Sequence, residues 1–236
     1  MHRDETAALF DQQAAGYDTQ WERMSPVREG LYFLMEAVLA GLPADARILS
    51  VGTGTGIEIA FLAERHPQWR FTAVEPSQAM LERCRQRAVE HGFASRCTFH
   101  HGFLDALAVD EPCDAATCLL VSQFLLEPEA RIGLFRDIAT RLRHGGLLVN
   151  ADLAADTASP AYESLLAIWL DRMSSAGVPP EALARARAAY AKDVAVLPPE
   201  RVAAFIASAG FDAPTQFFQA GLMHAWCAMR NQGAEA

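Results

Sequence analysis

No stretch of this chain is apolar for long enough to cross a bilayer. The longest apolar run, Ala115 to Val121, falls far short of the ~20 residues a spanning helix needs. The first residues, Met1-His2-Arg3-Asp4-Glu5, are polar and partly acidic with no apolar segment behind them, so no secretion signal is expected. Cysteine is sparse and unpatterned: Cys84, Cys97, Cys113, Cys118 and Cys227 are odd in number, lack CxxC spacing, and have no histidine pair at zinc-ligand distance. This argues against a disulfide framework or a zinc centre and points to reduced thiols in a cytoplasmic protein without a bound metal. Basic residues are in deficit, 20 Lys and Arg against 29 Asp and Glu, giving a formal net charge of −9. A net-negative chain has no general attraction for phosphate backbones, so sequence-independent nucleic-acid binding is not expected. With only 15 Gly and 12 Pro and an apolar content of 51%, collagen, coiled coil and disorder are excluded. A single soluble domain with a real core remains, since 236 residues suffice for one.

The pattern along the chain is alternating. Thr6 to about Leu42 reads as an amphipathic helical segment broken near Ser25-Pro26. Arg47-Ile48-Leu49-Ser50-Val51 is a short apolar run that stops at glycines, as a strand buried on both faces does. Helical spacing follows over Ile57–His66, a strand over Phe71–Val74, a helix over Gln78–His91 closed by Gly92, and a third strand over Cys97–His100. A fourth strand runs from Asp114 to Val121, a helix from Glu129 to Arg143, and a fifth strand from Leu147 to Ala151 after the exit His144-Gly145-Gly146. Strands alternating with helices of this length predict a parallel sheet of βαβ units. Residues 152–197 break the alternation with Ala-rich helical sequence interrupted at Gly177–Pro180. A helix over Pro198–Ala209 and two strands, Thr215–Gln219 and Met223–Met229, then close the sheet as an antiparallel hairpin.

The most informative stretch is Val51-Gly52-Thr53-Gly54-Thr55-Gly56-Ile57. Glycines after a first buried strand let the chain turn sharply and let a ligand approach the backbone, beside the free N–H groups of the next helix. A dinucleotide fingerprint would place its third glycine where Ile57 stands, and no Gly-Lys-Ser/Thr ending makes a P-loop. The loop therefore suits a nucleotide-type ligand that presents neither pyrophosphate nor triphosphate. Glu75 ends the second strand 23 residues beyond Gly52, where a carboxylate can accept hydrogen bonds from both ribose hydroxyls.

The Val-Gly-Thr-Gly-Thr-Gly loop, the Val74-Glu75-Pro76-Ser77 strand end and the Leu142-Arg143-His144-Gly145-Gly146 exit, in this order, resemble the class I S-adenosylmethionine (SAM) methyltransferases. Phe10 to Asp18 looks like the cap segment that many members fold over the cofactor. The resemblance implies a Rossmann-like α/β fold: a seven-stranded, mostly parallel sheet with an antiparallel last strand, helices on both faces, and a helical insertion after strand five. It implies one domain, with a helical cap over 1–46, a SAM-binding core over 47–151 and 198–230, and the insertion over 152–197. The implied cofactor is SAM, leaving as S-adenosylhomocysteine. Gly52, Thr53 and Gly54 would pack on its methionine part, Glu75 would hold the ribose, and Pro76, Ser77 and Met80 would lie near the adenine. Gly102, Phe103 and Leu104 would line the adenine pocket, Tyr17 would close the site, and Leu119 to Gln123 would line the route to the acceptor. Ser50 and Phe103 depart from the family pattern, standing where acids usually meet the cofactor's amino group and the adenine amine.

Gln123-Phe124-Leu125-Leu126-Glu127-Pro128 and Phe217-Phe218-Gln219 are similar, more distantly, to the carboxy-SAM synthases. Counting back from Ala209-Gly210-Phe211, Arg187 falls where those enzymes bind a carboxylate, although Leu119 and Phe103 replace their Asn and acid. The resemblance implies transfer of a methyl group to a small-molecule acceptor, with SAM modification or SAM binding without turnover as the alternative. Gln123, Trp169 and Arg187 are the candidate acceptor contacts, and His100, His101 and Asp152 the candidate bases. No Ser-His-Asp order or nucleophile elbow suggests a hydrolase. The apolar spacing of Tyr162, Leu165, Ile168, Trp169 and Met173 in the insertion fits a stripe packed on the sheet, a lid over the acceptor, or a homodimer surface.

Overall fold

The computed structural model describes residues 3–108, 111–173 and 180–231. The apolar five-residue run Arg47–Val51 is strand β1, central in a seven-stranded sheet of order β3-β2-β1-β4-β5-β7-β6. Its neighbours are β2 (Arg70–Glu75) and β4 (Cys113–Leu119), and β3 (Cys97–His101) forms one edge. On the other side lies β5 (Leu142–Leu153), followed by the hairpin of β6 (Thr215–Ala220) and β7 (Met223–Met229). Strand β7 inserts between β5 and β6 and runs antiparallel to both, as the sequence pattern predicts for the last strand.

Alternation along β1 explains the layers. Ile48 faces one apolar cluster and Leu49 and Val51 the other, so both sides of the strand are covered. On the first face, helices α3 (Ser25–Leu39), α4 (Ile57–Arg65) and α5 (Gln78–Glu90) bury Met35, Leu39, Ile59, Leu62 and Cys84. On the second face, α6 (Pro128–Arg141) and α9 (Pro199–Ser208) bury Phe135, Ile138, Val202 and Ile206. The N-terminal helices α1 (Arg3–Gln13) and α2 (Tyr17–Trp21) are joined by Gly16, where the chain turns.

Several boundaries differ from the sequence pattern, two of them with a plain structural cause. Strand β5 begins at Leu142 rather than Leu147, because Leu142 pairs with Cys113 across a bulge and Arg230 closes Gly145 and Gly146 into the ladder. Strand β4 ends at Leu119, before the expected Val121: Leu120 turns the chain away at a φ of +59°, and its N–H donates to the Ala151 carbonyl. The insertion forms α7 (Pro160–Met173) and α8 (Pro180–Asp193), while the expected interruption over 177–179 lies outside the described residues. Trp169 of α7 is buried, packs edge-on against Trp21, and donates its indole N–H to the Tyr190 hydroxyl at 2.8 Å. Among the described residues no helix is long and apolar enough to cross a membrane.

Candidate functional site

A cavity of about 610 Å³ opens at the carboxyl ends of β1, β2, β3 and β4, where a parallel sheet presents its loops. Its floor is the glycine loop. Gly52, Gly54 and Gly56 have φ of +66°, +57° and +79°, the left-handed region that side chains resist. A Cβ on Gly52 would collide with Val121, so this residue also has to be small for the chain after β4 to approach. The N–H groups of Gly52 and Thr53 both donate to the Val74 carbonyl, at 2.8 and 3.1 Å, which ties the loop to β2.

Glu75 is the chemical centre of that floor. It is 5% exposed, and its two oxygens accept separately from the Gly54 N–H at 2.8 Å and the Ser77 N–H at 2.9 Å. Burial pushes its carboxyl above the usual range, opposed by those two bonds. Each oxygen accepts one of these bonds and can take another, and Glu75 lines the cavity, so the group can still accept from ligand hydroxyls. Pro76, Met80, Gly102, Phe103 and Leu104 form an apolar slot beside it, and Leu119, Val121 and Phe124 continue the wall away from β1.

Helix α1 closes the top. Arg3 pairs with Asp105 at 2.9 Å and lies 4.1 Å above the Phe103 ring. That hydrogen bond holds the Asp105 carboxyl below the usual range. Phe10 meets Phe124 edge-on at 5.4 Å and Tyr17 at 6.2 Å. Asp11 accepts from the Ser77 hydroxyl at 2.6 Å and the Ala79 N–H at 2.9 Å, fixing α1 to the start of α5. Burial and the nearby Glu75 push the Tyr17 phenol well above its usual range, so it stays a neutral hydrogen-bonding group.

Of the residues assigned to the cofactor from sequence, Tyr17, Gly52, Gly54, Glu75, Pro76, Met80, Gly102, Phe103, Leu104 and Leu119 all line this cavity. Thr53 and Ser77 do not. The Thr53 hydroxyl points beneath the loop to Ser50 Oγ at 2.7 Å, and Ser77 caps α5 by accepting from the Met80 N–H. The structure brings none of the three candidate acceptor contacts to the cavity. The Gln123 side chain is a strut whose carbonyl oxygen accepts from the Leu153 N–H at 2.7 Å, Trp169 is buried against Trp21, and Arg187 pairs with Glu163 on the surface of the insertion.

The candidate bases are also elsewhere. Asp152 is fully buried, and its carboxylate accepts from Arg131, Ser122, Asn150 and the Gln123 N–H. His101 contacts the Pro76 carbonyl at the sheet edge, and the Nε2 of His100 is buried near Gly102 with no partner. Among the described residues, no three His, Cys, Asp or Glu side chains gather as a metal site, and all five cysteines are free. Arg187→Ala is therefore expected to leave SAM affinity within about twofold, since Arg187 lies outside the cavity in an exposed pair with Glu163. A tenfold loss in a binding titration would contradict this placement.

Sequence reading missed the far wall, made by Ala130, Gly133, Leu134 and Asp137 of α6, together with Arg3, Thr6 and Ala7 of α1. The α6 residues stand at i, i+3, i+4 and i+7, which is one helix face, but small and acidic residues there form no apolar stripe to notice.

The sheet order and a glycine loop followed one strand later by a buried acid are features shared with the class I SAM-dependent methyltransferases. Residues 48–146 match the family described as a methyltransferase domain, and this part of the chain is such a domain. Over 181 residues, 74% of this chain and 54% of the relative, it is 32% identical to the trans-aconitate 2-methyltransferase of Streptomyces coelicolor. The chain thus spans about half the length of that relative. Its fold is similar to an O-methyltransferase family 2 protein of Planctomyces limnophilus in complex with apigenin, with TM-score 0.62, 17% identity, and coverage of 98% of this chain and 62% of that one. A Geobacter sulfurreducens SAM-dependent methyltransferase in complex with S-adenosyl-L-homocysteine aligns with TM-score 0.55 and 21% identity, covering 80% and 66%. The residues present fit SAM: a doubly anchored carboxylate that lines the cavity, a left-handed glycine loop with open space above Gly54, and apolar lining residues beside them.

Proposed function

We propose that the protein transfers a methyl group from SAM to a small, apolar, uncharged acceptor by in-line displacement. The observation that carries this reading is the Glu75 floor of a cavity lined also by the apolar Leu119, Val121, Phe124, Leu125 and Leu126. SAM, when bound, supplies a methyl group already activated by its sulfonium. Glu75 then holds the ribose, Met80, Phe103 and Leu104 hold the base, and Gly52 and Gly54 let the methionine part lie against the backbone. Helix α1 and the Phe10–Phe124 contact exclude water, so the chain contributes mainly alignment and a dry site.

The charge balance selects the acceptor. Glu75, Asp105, Glu127 and Asp137 line the cavity, and among the described lining residues Arg3 alone is cationic and is already paired with Asp105. A polycarboxylate there would find no unpaired cation among the described lining residues and would meet like charges, which costs on the order of several kcal/mol in a desolvated site. The 32%-identical relative is named for trans-aconitate, and among the described residues that line this cavity no cation other than the paired Arg3 is there to meet such a carboxylate. Incubation with methyl-labelled SAM and matched pairs of phenols, each with and without a carboxylate, tests the reading. Labelled methyl ether and S-adenosylhomocysteine should form from the uncharged members, and methylation of trans-aconitate or preference for the carboxylates would overturn it.

A further inference from the structure

Beneath the glycine loop lies a second carboxylate that does not line the cavity. Glu58, in the first turn of α4, is 8% exposed. Strands β1 and β4 set Ser50 and Thr117 side by side in register, and the Glu58 carboxylate accepts from both hydroxyls. Ser50 Oγ in turn accepts from the Thr53 hydroxyl at 2.7 Å, and Thr53 is the residue between the two glycines that line the cavity. Two hydroxyls thus meet one buried acid, and a third links it through Ser50 to the glycine loop.

No ion pair involves Glu58 among the described residues. The titratable groups near it are Tyr32 of α3 and Cys84 of α5 on the same face and Cys118 of β4 across the sheet, all pushed upward by burial and all neutral near pH 7. Burial pushes the Glu58 carboxyl itself up to about 7, against the pull of the two hydroxyls. A buried carboxylate without a cation is costly unless a positive charge arrives nearby.

We propose that Glu58 is a positioning residue for the cationic cofactor: ionised, it draws Ser50 and Thr53 down to set the glycine loop and balances the positive charge bound above it. Without that charge it takes up a proton from solvent, and cofactor binding returns the proton to the buffer. The inference rests on the SAM reading above. An anion favoured by a bound cation has a lower pKa in the complex, so SAM affinity rises with pH up to about 7 and then levels.

Calorimetric titration of SAM between about pH 5 and 7, where its own amino group stays mostly protonated, in buffers of differing ionisation enthalpy, reads both affinity and protons released. Glu75 also titrates upward of its usual range, so the difference between wild type and Glu58→Gln isolates Glu58. The wild type should gain ~5- to 10-fold in affinity per pH unit below pH 7 and release protons, one linked proton permitting at most tenfold. Glu58→Gln should flatten this slope and lose most of the release. Ser50→Ala with Thr53→Val keeps the acid but removes a hydroxyl that favours its anion, so affinity should still be rising at about pH 7, where the wild type levels, and this variant serves if Glu58→Gln does not fold. Equal slopes and equal proton release in wild type and variants would overturn the inference while leaving the SAM reading intact. No SAM binding by the wild type at any pH would overturn both.

Discussion

Glu75→Ala is expected to weaken SAM binding by about 1.5–3 kcal/mol, or ~10- to 150-fold, the range for losing charge-assisted hydrogen bonds. Two effects add. The ribose loses its acceptor, and the Gly54 and Ser77 N–H groups, now each bonded to one carboxylate oxygen, lose the partner that joins the glycine loop to the start of α5. Glu75→Gln separates them. Its single carbonyl oxygen keeps one anchor and its amide places a donor where the other N–H points, so it should fall between Ala and wild type. Affinity of Glu75→Ala unchanged within twofold in a binding titration would remove Glu75 from the site.

Arg131→Met should be the most destabilising single change discussed here, by ~3–5 kcal/mol, because it strands a buried carboxylate. For a chain of this size that is a drop in Tm of about 6–20 °C. Arg131 is fully buried, and its Nε, Nη1 and Nη2 donate to Ser122 Oγ, the Ala195 carbonyl and Asp152 Oδ2 at 2.8, 3.1 and 2.9 Å. These bonds join α6, the turn after β4, β5 and the end of the insertion. Replacing both partners, with Arg131→Met and Asp152→Leu, should recover much of the loss, since two apolar groups leave no uncompensated charge. A loss below about 1 kcal/mol for the single variant, measured by denaturant unfolding, would show that the pair carries little. The turn it holds presents Val121 and Phe124 to the cavity, so this stability supports the site's shape.

The same network shows where sequence stops being informative. A carboxylate at the end of β5 looks equally suited to catalysis and to structure, and Asp152 is distinguished only by Arg131, a residue 21 positions earlier on another element. Gln123 and Trp169 are similar cases: their types suit a ligand, and their hydrogen bonds to Leu153 and Tyr190 are long-range facts. By contrast β1, the glycine loop and Glu75 were legible because their signals are local, an apolar run, a turn that only glycine permits, and an acid at a fixed strand end. The hairpin with antiparallel β7 was legible from the shortness of its loop, at Gly221. The start of β5 was not, because Gly145 and Gly146 read as an exit from α6 and only pairing with Arg230 makes them strand. Arg3 and the α6 face escaped notice for a third reason: a cavity wall of small and charged residues carries no periodic apolar signal.

The central claim is that the cavity over Glu75 holds SAM, and direct titration of SAM into protein freed of bound nucleoside tests it most simply. Mass spectrometry of what denaturation releases establishes the starting state. The account predicts saturable, stoichiometric binding of SAM and S-adenosylhomocysteine that Glu75→Ala weakens and Arg187→Ala does not. No saturable binding, or binding that depends on Arg187 and not on Glu75, would contradict it.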